Sequence, residues 1–210
     1  MNQRTLLCVY QVIAPMNREL VSQVQSLFNH VRVVHHMFRP LARADAYPLF
    51  QAASSTPEFN RYLLWPTPKD PQEVQIQVDK LIREQTMERA APFSLVDRDT
   101  GYWKGMCVFR PYLDGVEIST YLHPNEWARG TIVATGSCMF QALLEQFPDS
   151  PVYVRVRLGN RPMLKICRVH KLQELEQDVG SHPVEGQVPL RVFRLDRTWP
   201  GFGFTGVIPY

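Results

Sequence analysis

Glu117 stands between Val116 and Ile118 in a run, Gly115 to Leu122, where apolar and polar residues alternate. A carboxylate on such a strand either pairs with a neighbouring Arg or Lys or, partly desolvated at a cleft, holds its proton more tightly and works as a general base. Downstream, Ala128-Arg129-Gly130-Thr131-Ile132-Val133 forms a turn that feeds an apolar helix. Such a helix start presents unpaired N–H groups and the positive end of the macrodipole, which suits an anion, although one Gly before an apolar helix also describes an ordinary turn. His35, His36 and His123 have no acidic partner at ligand spacing, so they read as surface or strand-end histidines rather than a metal set. Arg155 and Arg157 share a strand face with Tyr153, as an anion-facing strip or a solvated face. Phe59, Tyr62 and Trp65 fall in a proline-rich stretch, Thr56 to Pro71, where they wall a binding site or staple the loop to the core.

These residues need a scaffold, and the composition supplies enough for one. The 210 residues are 45% apolar and 11% aromatic, which fits a single well-buried domain better than two. The excess of 23 basic over 20 acidic residues is mild and shows no clustering, against a nucleic-acid footprint and against disorder. Cys8, Cys107, Cys138 and Cys167 form no CxxC pair, so neither a zinc knuckle nor a disulfide-stapled fold is expected. A reducing cytosol is the simplest setting. Leu6 to Ala14 is interrupted by Gln11 and lacks a cleavage site, and no run reaches the roughly 20 apolar residues of a membrane helix, so the chain reads as soluble and without a membrane partner.

The periodicity predicts a leader and amphipathic helix over residues 1–32, its helix running from Met16 to Val31, and a single domain over 33–210. Within that domain the chain reads as a strand from Val31 to Phe38, a helix over Ala44 to Ser54 and the proline-rich loop. A helix over Gln72 to Glu88 comes next, then strands from Phe93, over Trp103 to Arg110 and over Gly115 to Leu122. A helix then ends at Phe147, a strand covers Val152 to Leu158, and a helix runs from Asn160 to about Glu176. A polar stretch leads to a last strand, Val188 to Leu195, and an aromatic, glycine-rich tail. That order suggests an α/β domain with a mixed sheet flanked by helices.

Several stretches carry a resemblance in collinear order: Phe38-Arg39-Pro40-Leu41 with Asp45, Arg61 to Trp65, Val96 to Gly101 with Gly105, Glu117-Ile118 with Tyr121-Leu122, Pro124 with Trp127 to Gly130, and Asn160. Over Val33 to Trp199 the sequence resembles the GNAT superfamily of acyl-CoA-dependent N-acyltransferases, most of all its ribosomal-protein-alanine acetyltransferase-like branch. The resemblance implies an α/β (α+β) fold with a twisted, mostly antiparallel mixed sheet, acetyl-CoA as co-substrate, no metal, and direct attack of an amine on the thioester. It implies Glu117 as base and, as acid, Cys167, Tyr121 or a bound water, Cys167 reading otherwise as a small buried hydrophobe. It assigns cofactor binding to Leu122, His123, Ala128, Arg129, Gly130, Thr131, Ile132, Val133 and Asn160, and acceptor binding to Phe59, Tyr62 and Trp65. The acceptor is open, the branch favouring a protein or peptide α-amine over a small molecule, and the chain is expected as monomer or homodimer. It departs from the branch pattern at Ala128, Ile132, Met163 and Lys171-Leu172. Those departures support the alternative, a non-catalytic module of the same fold with a degenerate cofactor loop.

Overall fold

The structure, a computed structural model, describes residues 16 to 200 apart from positions 30, 34, 65, 66 and 183. The leader before Met16, the tail after Pro200 and Trp65 therefore lie outside the described residues.

The period-two segments assemble into one eight-stranded sheet. In chain order the strands are β1 (Arg32–Val33), β2 (His36–Pro40), β3 (Ala91–Asp97), β4 (Trp103–Tyr112), β5 (Gly115–Leu122), β6 (Val152–Arg157), β7 (Gln173–His182) and β8 (Gly186–Leu195). They lie in the order β1-β2-β3-β4-β5-β6-β8-β7. Neighbours are antiparallel except β5 and β6, which run parallel. The helices are α1 (Met16–Phe28), α2 (Ala46–Ser55), α3 (Pro57–Asn60), α4 (Pro71–Thr86), α5 (Thr131–Gln146) and α6 (Arg161–Val169).

Alternation sends each strand's apolar residues to two separate cores. On one face Phe93, Leu95, Phe109, Ile118 and Val154 pack with side chains of α1, α5 and α6. Phe28 of α1 stacks on Phe109 at 4.4 Å and meets Phe38 edge-on at 5.2 Å, so the first helix belongs to the same core as the sheet. On the other face Met106 and Val108 pack against Leu49 of α2, Phe59 of α3 and Val74 and Val78 of α4. Asp45, 2% exposed, ties β2 to this layer. It accepts from Arg39 Nη1 at 2.8 Å, from the Ala42 N–H at 2.8 Å and from Ser94 Oγ at 2.7 Å, leaving a buried charge paired and hydrogen-bonded.

Two expectations need correction. The strand predicted from Val31 to Phe38 is split into β1 and β2 by a turn at His35. The helix predicted to reach Glu176 stops at Val169, where Lys171 takes φ 52°, and Gln173–His182 is a ten-residue strand. β7 is the outermost strand, paired with β8 alone, and so lacks the two buried faces that would mark it by hydrophobicity.

Candidate active site

β5 and β6 pair only at Val116 with Val152 and Glu117 with Tyr153. Beyond these residues β5 stays with β4 as far as Leu122, and β6 with β8 as far as Arg157. The two parallel strands part and leave a wedge open at their C-terminal ends. Its narrow end is fixed where the Val116 N–H donates to the Pro151 C=O at 3.0 Å. Gly115 is required there, since a Cβ on it would fall 1.9 Å from the Pro151 carbonyl oxygen.

One side of the wedge meets the N-terminus of α5. After Trp127 the chain takes positive φ at Ala128 (58°) and at Gly130 (74°), the N-cap of α5. The first helical bonds run from the Val133 and Ala134 N–H groups to the Gly130 C=O at 3.0 Å. The amides ahead of them leave the helix end without a helical acceptor, beside the exposed Arg129. This turn is held from below by Glu126, which is 6% exposed. Lys104 Nζ donates to its Oε1 at 2.8 Å and Thr131 Oγ1 to its Oε2 at 3.0 Å. Burial alone would raise the Glu126 pKa, but these two donors hold it below the usual carboxylate range. Trp127 Nε1 donates to the Leu122 C=O at 3.1 Å, and the His123 N–H to the Lys104 C=O at 2.8 Å, fixing the strand end to the loop.

The same side holds a narrow apolar cavity. Ile118, Thr120 and Val154 contribute from the wedge, Ile132 and Met163 from the helix starts, and Phe140 and His170 from deeper along the helices. Both bulky departures from the branch pattern, Ile132 and Met163, thus turn into this cavity.

The opposite side of the wedge is polar. Glu117 is 7% exposed and accepts from Arg155 Nη2 at 3.0 Å. Arg155 Nη1 donates to Asp178 Oδ2 at 3.1 Å, and its guanidinium lies 4.8 Å from the Tyr112 ring centroid. Tyr112 donates to the same Asp178 oxygen at 3.0 Å, and burial with this bond pushes its hydroxyl up to about 12. Burial also raises Tyr121. Arg157 pairs with Glu185 at 2.6 Å and donates to the Leu63 C=O at 3.4 Å. Tyr62 reaches within 4.0 Å of where a Cβ on Gly159 would be. The chain from Tyr62 to Leu63 therefore runs along the rim of this face. The two arginines are engaged by carboxylates, so they are neither a free anion strip nor a simple solvated face.

Leu122, His123 and residues 128–133 are brought together at one end of the wedge, with Glu117 and Tyr121 across β5 on the other face. Asn160 caps α6, its Oδ1 accepting from the Met163 N–H at 3.2 Å. Cys167, expected among the acids, is 0% exposed within the core, and burial pushes its thiol up to about 12, the environment of a packing residue. Phe59 is likewise buried in the second core, so it staples the loop rather than walling a site. The sequence reading missed Lys104, Glu126, Asp178 and His170. A Glu shortly before a helix start was the one available signal among them, since a carboxylate there suits the helix dipole.

The profile of the acetyltransferase (GNAT) domain matches residues 36–170, well over half of the chain. No curated protein matches. Among solved structures, a GCN5-related N-acetyltransferase from Brucella melitensis is similar at 16% identity and a TM-score of 0.69, covering 81% of this chain and 80% of its own. An acetyltransferase from Salmonella typhimurium that modifies the N-terminal serine of a 50S ribosomal subunit protein is similar at 11% identity and a TM-score of 0.65, covering 78% and 95%. A ribosomal α-N-protein acetyltransferase, RimL, in complex with coenzyme A is similar at 12% identity and a TM-score of 0.63, covering 79% and 97%. These likenesses are those of fold, and with the profile match they identify the chain as a member of the GNAT acetyltransferase family.

Proposed function

We propose that the protein transfers an acetyl group from acetyl-CoA to a primary amine by direct attack, without an acyl-enzyme. The observation that carries this reading is the wedge between β5 and β6. One of its faces adjoins a helix start with free amides, and the other presents a buried carboxylate. The residues present suit the co-substrate: the first-turn amides of α5 and Arg129 for its pyrophosphate, and the open strand edges for its pantetheine arm. The polar face would receive the amine. Glu117 takes the ammonium proton, directly or through a water, so that the nitrogen lone pair can form the new C–N bond. As the C–S bond breaks, the departing thiolate is protonated from water or Tyr121. The Salmonella and RimL likenesses favour a protein or peptide α-amine as acceptor over a small molecule, by fold analogy.

A thermal melt with acetyl-CoA tests the first half: ligand at 100 times its Kd stabilises the folded state by about 2.7 kcal/mol. Thiol release in the presence of peptide and small-molecule amines tests the second. Absence of any shift at millimolar acetyl-CoA would leave a non-catalytic module of the same fold.

A further inference from the structure

Glu126 is an unexpected neighbour for a turn that would take an anion. It is 6% exposed and sits just before the helix start, where its negative charge opposes an anion and offsets the positive helix end that would attract one. Its two oxygens serve two separate segments. Lys104 Nζ, on β4, donates to Oε1 at 2.8 Å, and Thr131 Oγ1, on the first residue of α5, donates to Oε2 at 3.0 Å. The second bond closes a ring of chain around Trp127, Ala128, Arg129 and Gly130. That stretch has little else to hold it. Trp127, Ala128 and Arg129 are exposed, so core packing does not fix them. Ala128 also takes φ 58°, a conformation that suits glycine and strains a residue with a Cβ. Without a tether the stretch relaxes toward negative φ at Ala128, and the turn that feeds α5 is lost. The near end is secured by the Trp127 N–H, which donates to the Pro124 C=O at 3.0 Å, and by its indole on the Leu122 C=O. Glu126 joins the far end, Thr131, to it.

We propose that Glu126 is a positioning residue for acyl-CoA: clasped between Lys104 and Thr131, it holds the turn from Trp127 to Gly130 in the conformation that presents the first amides of α5 to the pyrophosphate. The inference rests on the acyl-transfer reading above. Glu126 itself touches no ligand. Its ion pair with Lys104 offsets much of the charge that would oppose the anion, and its two donors keep it ionised in spite of burial. The affinity of a ligand falls with the fraction of protein in the binding-competent conformation, so a turn held in one conformation binds more tightly than a loose one. The clasp therefore acts in the opposite sense to its own charge. Were Glu126 only a nearby charge, removing it would tighten anion binding; as a clasp, its removal weakens binding.

Coenzyme A, which carries the pyrophosphate, is the probe, titrated by calorimetry into the full chain. Glu126→Ala is expected to bind it roughly tenfold more weakly, the factor that corresponds to the strain of one residue with a Cβ at positive φ. Glu126→Gln keeps an oxygen for Lys104 and offers an N–H to Thr131 Oγ1, so it is expected to restore wild-type affinity or exceed it. Ala128→Gly added to Glu126→Ala is expected to recover part of the loss, because glycine takes the turn without strain; a general loss of stability would not be relieved this way. Thr131→Val, which removes the hydroxyl without changing charge, is expected to weaken binding severalfold and serves should the alanine variant fail to fold. Equal or tighter binding by Glu126→Ala overturns the proposal. So does Glu126→Gln as weak as the alanine variant, no recovery with Ala128→Gly, or unchanged binding by Thr131→Val. Each of these leaves the acyl-transfer reading standing as long as the wild type binds coenzyme A. Absence of binding by the wild type removes both.

Discussion

Replacing Glu117 by Gln separates its two possible roles, because the structure gives the residue a partner as well as a position. The amide is isosteric and keeps an oxygen toward Arg155, whose second carboxylate, Asp178 at 3.1 Å, and aromatic neighbour, the Tyr112 ring at 4.8 Å, are untouched. The folded state loses the charge assistance of one hydrogen bond. Bonds to charged groups contribute about 1.5–3 kcal/mol and neutral ones about 0.5–1.5, so the cost is about 1–1.5 kcal/mol. In a domain of this size that lowers the melting midpoint by about 2–6 °C. Turnover behaves differently. If Glu117 relays the ammonium proton, the variant loses about 100-fold or more in kcat, because glutamine cannot accept that proton. Asp178→Asn is the matched control, since it weakens the other half of the same Arg155 bridge at similar cost in stability. Thiol release from acetyl-CoA with a saturating amine, beside thermal melts of both variants, gives the comparison. Wild-type turnover in Glu117→Gln, or an equal fall in Asp178→Asn, would refute the proton-relay role and leave Glu117 as an ion-pair partner.

Further expectations follow from the backbone and the cavity. Ala128 sits at φ 58°, where a residue with a Cβ is strained by about 1–2 kcal/mol. Part of that relief is offset by added freedom in the unfolded chain, so Ala128→Gly raises the melting midpoint slightly; a lower midpoint refutes the strain. Ile132→Ala removes part of the cavity lining at a cost of about 2–4 kcal/mol and tightens acetyl-CoA, and unchanged affinity in calorimetry would show that Ile132 does not narrow the ligand's path. Cys167, fully buried, resists a small thiol reagent with or without coenzyme A while half-buried Cys138 reacts first; fast labelling of Cys167 on peptide mapping contradicts its place in the core. His170 is lowered to about 4 against 6.5 in the unfolded chain, so the unfolded state takes up its proton first as pH falls. Its stabilising effect is complete above pH 6.5 and is lost between 6.5 and about 4, at most about 3 kcal/mol. His170→Leu therefore shows a shallower acid loss in denaturant titrations, and identical slopes would contradict the burial.

Local patterns written in short stretches of chain were legible directly. Alternation over 115–122 and 152–158 put Glu117 on the face opposite Ile118 and set Arg155 and Arg157 together with Tyr153, because side chains on a strand change face at every residue. The apolar spacing of α4, the Asn160 cap and the Gly130 helix entry were equally local, each a matter of a few backbone dihedrals and one side chain. Collinear motifs placed these pieces in a known order, and Asp45 turns out to be a buried carboxylate whose ion pair with the partly exposed Arg39 fastens β2 to the helical layer.

What only the tertiary structure decided depends on contacts between distant segments. Arg155 could have met solvent, an anion or a carboxylate; its pairing with Glu117 exists because two parallel strands touch at their first residues and then separate. Lys104 reaches Glu126 because β4 passes beneath the loop before α5, a neighbourhood no local spacing encodes. Cys167 and Phe59 had plausible places at the cleft and in the core, and packing put both in the core. β7 escaped detection because an edge strand paired on one side alone needs little hydrophobic patterning. His170 lay inside the helix expected to reach Glu176 and carried no local signal; its ring is enclosed by Gly136 and Phe140 on another helix. Propensity and periodicity act through neighbours along the chain, whereas burial and pairing energies are set by neighbours in space.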